Sequence, residues 1–250
     1  MPDLRSAAEA AARTAPKKEI LSFEYQGQRY WLKRGRPTGS NLLHRAVWHL
    51  SRFPLLVPVL RQDAAQARAY ESDKIRRLGT SGHPVPEILL TTDAWFVMSD
   101  TGPVLRDLLY RRERNDARVR QIFEALGALH RSGEYHGGSQ LRNLTWSDGK
   151  IHFIDFEERF DPAIDRETLQ LRDLFLLLFS FAKDRIPMDY PEQISYYRSV
   201  SGNDDFDRRL HSLFRHLGWL ERTIALPPIW KILDKDTKAT YRLIQELKKL

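Results

Sequence analysis

A carboxylate on the apolar face of a helix constrains this chain more than any other single feature. Residues 63–78 read as a helix, with Asp63 as its N-cap and Gly79 and Gly82 as stop signals. Ala67, Glu71, Ile75 and Leu78 follow the i, i+4, i+8, i+11 spacing and share one stripe. A carboxylate buried there is costly unless paired, so Glu71 predicts a cationic partner from another element; the alternative is a glutamate at the stripe's edge that reaches solvent. Upstream, residues 20–34 alternate polar and apolar around Gln26-Gly27-Gln28, the pattern of a β-hairpin with strands 21–25 and 29–33. Lys33 then lies on an inner strand, on the same face as Trp31.

Pro84-Val85-Pro86 leads into two more short strands, 87–90 and 95–98, with a turn at Thr92-Asp93, so an antiparallel sheet carries one helix. After Gly102-Pro103 the pattern turns helical, first over 104–111 and then over 116–131, where Val119, Ile122, Phe123, Leu126 and Leu129 share a face. Residues 135–143 hold Gly137-Gly138 without periodicity and read as a loop. Segments 143–146 and 151–154 flank Ser147-Asp148-Gly149 as a tight hairpin, and Asp155 follows directly. Segments 167–183, 191–200, 206–217 and 236–250 read as helices, and there is no internal repeat. Residues 1–17, Ala-rich and charged, read as a loosely held helix or tail. The expected organisation is a tail over 1–19, a sheet-bearing lobe over 20–100 with an inserted segment at 38–60, and a helical lobe over 101–250.

At 250 residues and 42% hydrophobic content the chain can bury a core of one or two domains. No stretch approaches the roughly 18 to 20 uninterrupted apolar residues of a membrane span. The first residues lack the apolar block of a secretory signal, so the expected address is the cytoplasm. The absence of cysteine excludes disulfides and thiolate metal sites. A net charge of +7 and a pI near 9.6 point to anionic partners: nucleotides, phosphorylated sugars, acidic lipid headgroups or nucleic acid. A merely solvated basic surface fits the charge equally well. Nucleic acid is the weakest of these, because no helix-turn-helix, zinc-finger or aromatic-plus-basic motif is present.

The order of sheet with Lys33, helix with Glu71, helices, loop with His136 and Asn143, hairpin and Asp155 resembles the protein-kinase superfamily. Its nearest branch looks like the bacterial lipopolysaccharide kinases and their RIO-like relatives, over residues 25–180. The resemblance implies an α+β, bilobal protein-kinase-like fold: a small antiparallel-sheet N-lobe with one main helix, and a mostly helical C-lobe. Tyr30-Trp31-Leu32-Lys33 matches the third-strand lysine motif and Glu71 the helix glutamate that pairs with it, which implies a cation held toward the phosphates of ATP. Residues 135–143 match the catalytic loop, whose family form runs His-Gly-Asp, four residues, then Asn. Ile154-Asp155-Phe156 matches the motif of the metal-binding aspartate, here followed by Glu157 instead of Gly. Asn143 and Asp155 are hard oxygen ligands suited to Mg²⁺. Arg172-Asp173-Leu174 stands where kinase-like proteins put an aspartate that accepts hydrogen bonds from the catalytic-loop backbone. An aspartate favouring its helix dipole is an equal reading.

The pattern breaks at Gly138, where the family has the aspartate that takes the acceptor hydroxyl's proton. His136 and Gln140 are the candidate substitutes in the loop, the first to accept a proton and the second only to orient a hydroxyl. Between the first two strands only Gly27 stands where kinases carry a glycine-rich loop; Arg34 and Arg36 offer phosphate contacts instead, or are simply solvated. Segment 38–60 reads in its first half as an amphipathic helix, with Leu43, Val47 and Leu50 opposite Arg45, His49 and Arg52. It would suit an anionic inner-membrane surface, or pack Trp48, Phe53 and Leu56 over the sheet. The basic 236–250 helix carries the same two readings.

The leading expectation is an ATP- and Mg²⁺-dependent phosphotransferase acting on a sugar or lipid-linked sugar hydroxyl, cytoplasmic or peripheral to the inner membrane. The alternatives are a catalytically silent nucleotide-binding scaffold, supported by Gly138, and a RIO-like or Ser/Thr protein kinase, for which 157–167 leaves little activation loop.

Overall fold

A computed structural model of the protein describes residues 3–41, 48, 57–110, 116–203, 208–209 and 235–247, which fall into two compact units. The first comprises Met1–Leu42, Pro58–Pro103 and Thr145–Asp161, the second Leu43–Val57, Val104–Leu144 and Pro162–Leu250.

In the first unit the elements run α1 (Leu4–Thr14), β1 (Ile20–Tyr25), β2 (Gln28–Arg34), α2 (Ala64–Thr80), β3 (Ile88–Thr91) and β4 (Trp95–Ser99). The strands form an antiparallel sheet in the order β1-β2-β4-β3, which makes β2 an inner strand. Gln26 and Gly27 both take positive φ, 51° and 74°, a two-residue turn whose twist suits an antiparallel hairpin. The turn sets the register, so that Lys33 pairs with Ile20 on one side and Phe96 on the other.

The helix α2 starts on a reciprocal cap: Asp63 accepts the N–H of Gln66 at 2.8 Å, and the Gln66 side chain accepts the N–H of Asp63 at 3.1 Å. Ala67, Glu71, Ile75 and Leu78 are all buried, as their common stripe predicts.

Residues read from sequence as a loosely held helix or tail form the helix α1, which is docked on the sheet. Asp3 caps the helix, Ala8 is fully buried against Leu21, Leu32, Trp95 and Val97, and Arg34 donates to the carbonyls of Ala12 and Lys18 at 2.9 and 2.5 Å. An alanine-rich face buries little area per residue, so its periodicity is faint in the sequence.

The strands β5 (Leu144–Ser147) and β6 (Lys150–Phe153) form a two-stranded sheet of their own. From Thr145 onward this hairpin groups with the four-stranded sheet: Trp146 N–H donates to the Pro103 carbonyl and Phe153 N–H to that of Pro84, both at 3.0 Å.

The second unit holds α3 (Leu105–Tyr110), α4 (Asp116–Arg131), α5 (Arg166–Asp184), α6 (Tyr190–Ser201) and α7 (Lys235–Leu247). The helix α5 is buried along most of its length and α4 packs on α6, with Arg120 over the Tyr196 ring at 4.0 Å. Phe123 of α4 stacks on Phe181 of α5 at 6.0 Å between centroids. Among the described residues no helix is long and apolar enough to cross a membrane. The amphipathic helix read in segment 38–60 lies almost wholly outside the described residues, although Trp48 is buried. The helix read at 206–217 also lies outside them, apart from helical residues 208 and 209.

Gly35, at the end of the lysine-bearing strand, is the tightest point of the first unit: a Cβ there would lie 1.8 Å from the Ala64 carbonyl oxygen of α2. Gly35→Ala should therefore destabilise the protein by about 3 kcal/mol or more in urea unfolding. Gly27→Ala, which meets nothing within 4 Å and only forces a residue with a Cβ to φ 74°, should lose about 1 to 2 kcal/mol.

Candidate active site

Lys33 projects from inner strand β2 and is 5% exposed. Its Nζ donates to Glu71 Oε1 at 2.7 Å and Asp155 Oδ1 at 2.6 Å, and lies 4.0 Å from Glu157 Oε2. Burial alone would lower the ammonium's pKa, but the charges of Glu71 and Asp155 reverse this and raise it, so Lys33 is a fixed cation. Glu71, 2% exposed, also accepts the N–H of Phe156 at 3.2 Å. Burial pushes its carboxyl up to about 7; Lys33 pulls it down, while Asp155 and Glu157 add to the rise.

Oxygens of Glu71, Asp155 and Glu157 lie within 4.8 Å of one another, a crowd of acids in which Lys33 is the central cation. The Arg36 guanidinium grips Glu157 through both Nε and Nη2 and lies 3.4 Å from Glu19. Arg34 is committed to α1, so both arginines flanking Gly35 have protein acceptors. Asp155 takes φ 70°, a left-handed conformation that aspartate tolerates better than most residues. The Phe156 ring behind it lies 5.4 Å from the buried Lys74 ammonium.

In the second unit the loop over 135–143 is shaped from within. Asp173, on α5 and 0% exposed, accepts the backbone N–H of His136 at 2.6 Å and of Gly137 at 2.8 Å. His130 approaches the same carboxylate at 3.4 Å, and its other ring nitrogen meets the Tyr197 hydroxyl at 2.5 Å. Burial would raise the Asp173 pKa; the bond to His130, with the charges of His130, His136 and Arg172, holds it below the ordinary carboxylate value. Arg172 also donates to the Gly137 carbonyl.

His136 is fully buried and its Nδ1 accepts the N–H of Gly138 at 3.0 Å, so that nitrogen already serves the loop. Gln140 is half-buried at the entry of a 3₁₀ turn over Leu141–Asn143, its carbonyl accepting the Asn143 N–H at 2.8 Å. Asn143 donates from Nδ2 to the Gly138 carbonyl at 2.8 Å, which leaves its Oδ1 as the atom for a ligand.

The structure thus gathers Lys33, Glu71 and Asp155 at one point in the first unit, and His136, Gln140 and Asn143 along one loop in the second. Sequence reasoning did not foresee Arg36 as the partner of Glu157, nor the His130–Tyr197 pair behind Asp173. An acid at 157 in place of glycine was the available signal for the first. The second joins α4 to α6 and leaves no local pattern.

No protein-family profile matches the chain. It is 22% identical over 231 residues to an uncharacterized protein of Haemophilus influenzae, covering 90% of this chain and 88% of that one. A probable bifunctional tRNA threonylcarbamoyladenosine biosynthesis protein of Methanocorpusculum labreanum is 26% identical over 75% of this chain, which spans only 35% of its length. The KEOPS complex subunit Bud32 of Pyrococcus abyssi is 28% identical over 34% of this chain and 39% of its own. Among solved structures, WaaP in complex with acyl carrier protein superposes with a TM-score of 0.50 at 16% identity, over 82% of both chains. The chain has a protein-kinase-like fold: a small antiparallel sheet with a largely helical remainder.

Because the Asp173 pKa is depressed on folding, its stabilisation is complete above the unfolded value near 3.8 and is lost as pH falls through the folded value. Asp173→Asn should lower stability by about 3 kcal/mol at pH 7, through the loss of charge-assisted bonds to two buried amides. In urea titrations at several pH values, the gap from wild type should narrow below pH 3.8; a gap independent of pH would refute the assignment.

Proposed function

We propose that this protein is a Mg·ATP-dependent phosphotransferase whose acceptor is a hydroxyl of a sugar or lipid-linked sugar. The observation that carries this reading is Lys33, fixed as a cation between Glu71 and Asp155. A buried ammonium with its geometry already set can meet phosphate charge with little reorganisation, which is what phosphoryl transfer requires of a protein. The residues present also fit a hard divalent cation. Asp155 and Asn143, whose Oδ1 has no partner among the described residues, each offer a hard oxygen, and they are the ligands we assign. Bound Mg²⁺ would supply charge neutralisation at the phosphates.

The chain's own part is to hold Lys33 toward the phosphates and to set the loop over 135–143 through Asp173. With glycine at 138 and His136 Nδ1 committed within the loop, residues 135–143 offer no carboxylate to take the acceptor hydroxyl's proton. General-base help is commonly worth about 10² to 10⁴ in rate, so turnover should be slow.

The same two facts support the second reading, a silent nucleotide-binding scaffold. Partial likeness to Bud32 lends some support to a third, a RIO-like kinase. A peripheral place at an anionic membrane surface is part of the leading proposal and follows from a lipid-linked acceptor.

With Mg·ATP at about a hundred times its dissociation constant, wild type should gain about 2.7 kcal/mol and roughly 5 to 10 °C in melting temperature. Asp155→Asn, which suits the left-handed backbone at that position, should abolish the shift. No shift in well-folded wild type would sink the nucleotide site and leave a scaffold.

Gly137 takes φ 106° but Gly138 does not take a positive φ, so the backbone dihedral at 138 is open to a residue with a Cβ. Gly138→Asp should raise phosphate transfer to a core-sugar acceptor by about tenfold or more. Transfer that appears only in the variant would favour the silent reading of the parent.

A further inference from the structure

A second cluster of charge lies in the second unit, where a cavity of about 480 Å³ opens beside the end of α4 and the start of α5. This is the size of a small-molecule pocket. Among the described residues its wall includes Arg131, Arg166 and Arg209 and a single acid, Glu167. Arg131 and Arg166 are exposed, and neither forms an ion pair among the described residues. The Arg166 guanidinium lies over Gly133, where a Cβ would come within 2.7 Å of Nη1, so the glycine makes room for it.

Arg209 is anchored through Nη1, at 2.9 Å from Asp165 Oδ1 and 3.0 Å from Thr168 Oγ1. Its Nε, however, is buried without an acceptor among the described residues. A buried donor left unmade is expensive, and this one borders a cavity. The polar groups of the floor are otherwise engaged: both ring nitrogens of His130 are used, and Gln170 donates to the carbonyls of His130 and Glu134 at 2.8 and 3.0 Å.

We propose that this cavity is a binding site for a phosphate monoester on a compact polar body, such as a sugar phosphate, with the phosphate held by Arg131, Arg166 and Arg209. Guanidinium forks match phosphate oxygens in pairs. With Asp165 balancing Arg209 and Glu167 one of the other two arginines, an excess of one positive charge among the described residues faces the about −1.5 to −2 of a phosphate monoester at neutral pH. None of its lining residues belongs to the Lys33 cluster, and its floor is the same His130 and Gln170 that brace Asp173 and the start of the loop. It stands whether or not the phosphotransfer proposal does.

The test is isothermal titration of the full chain with inorganic phosphate, glucose 6-phosphate and uncharged glucose. Saturable binding of the two phosphates and none of glucose is expected. Arg131→Gln combined with Arg166→Gln, both at exposed side chains, should weaken binding at least about tenfold with the melting temperature unchanged. Asp155→Asn should leave the affinity as in wild type. Tighter binding of glucose 6-phosphate than of inorganic phosphate would support a ligand-borne phosphate; equal binding would assign the site to free phosphate, against the compact body proposed. The proposal is overturned if neither phosphate saturates wild type by about 10 mM, if the double variant binds as wild type does, or if Asp155→Asn removes the binding.

Discussion

The first unit depends on one buried ammonium. Lys33 comes from an inner strand, Glu71 from a helix and Asp155 from the end of a hairpin, and the three meet at a single nitrogen with separations of 2.7 and 2.6 Å. Moving any one of them would leave a charge in a place from which water is largely excluded. The rest of the unit limits such movement: the Gln26-Gly27 turn fixes the strand register, Asp63 and Gln66 fix where α2 begins, and Gly35 lets strand and helix approach. Arg34, in turn, ties the strand's end to α1. Those features lie in different elements, yet their common product is the position of one buried ammonium.

The second unit solves a related problem with opposite charge. Asp173 is fully buried and draws its compensation from backbone amides and an imidazole, so a loop with two consecutive glycines is held in one shape. The bonds that Asp173 makes to the loop use the backbone at 136 and 137 and no side chain at 138.

Much of this was legible in the sequence where chemistry and periodicity agree. Glu71 on an apolar stripe called for a cation, and alternation ending in Lys33 supplied one. The hairpin turns and the extent of α4 were equally plain. Alanine packs without announcing itself, which is why the docking of α1 was not read, although a loosely held helix was one of the two readings. Arg34 and Arg36 were read as solvated or phosphate-facing, because nothing local reveals that one meets helix carbonyls and the other a glutamate 121 residues away. His136 shows a different limit: sequence gives the ring, but only geometry shows that Nδ1 points at its own loop.

The left-handed backbone at Asp155 has a consequence for how such a chain can drift. At φ 70° a Cβ crowds the following carbonyl; glycine has none, and asparagine offsets the cost through local hydrogen bonding. Descent that erases the negative charge at this position is therefore channelled by shape toward those two residues, and a lineage that abandoned the chemistry would carry Asn or Gly there before it carried Ala, Ser or Val.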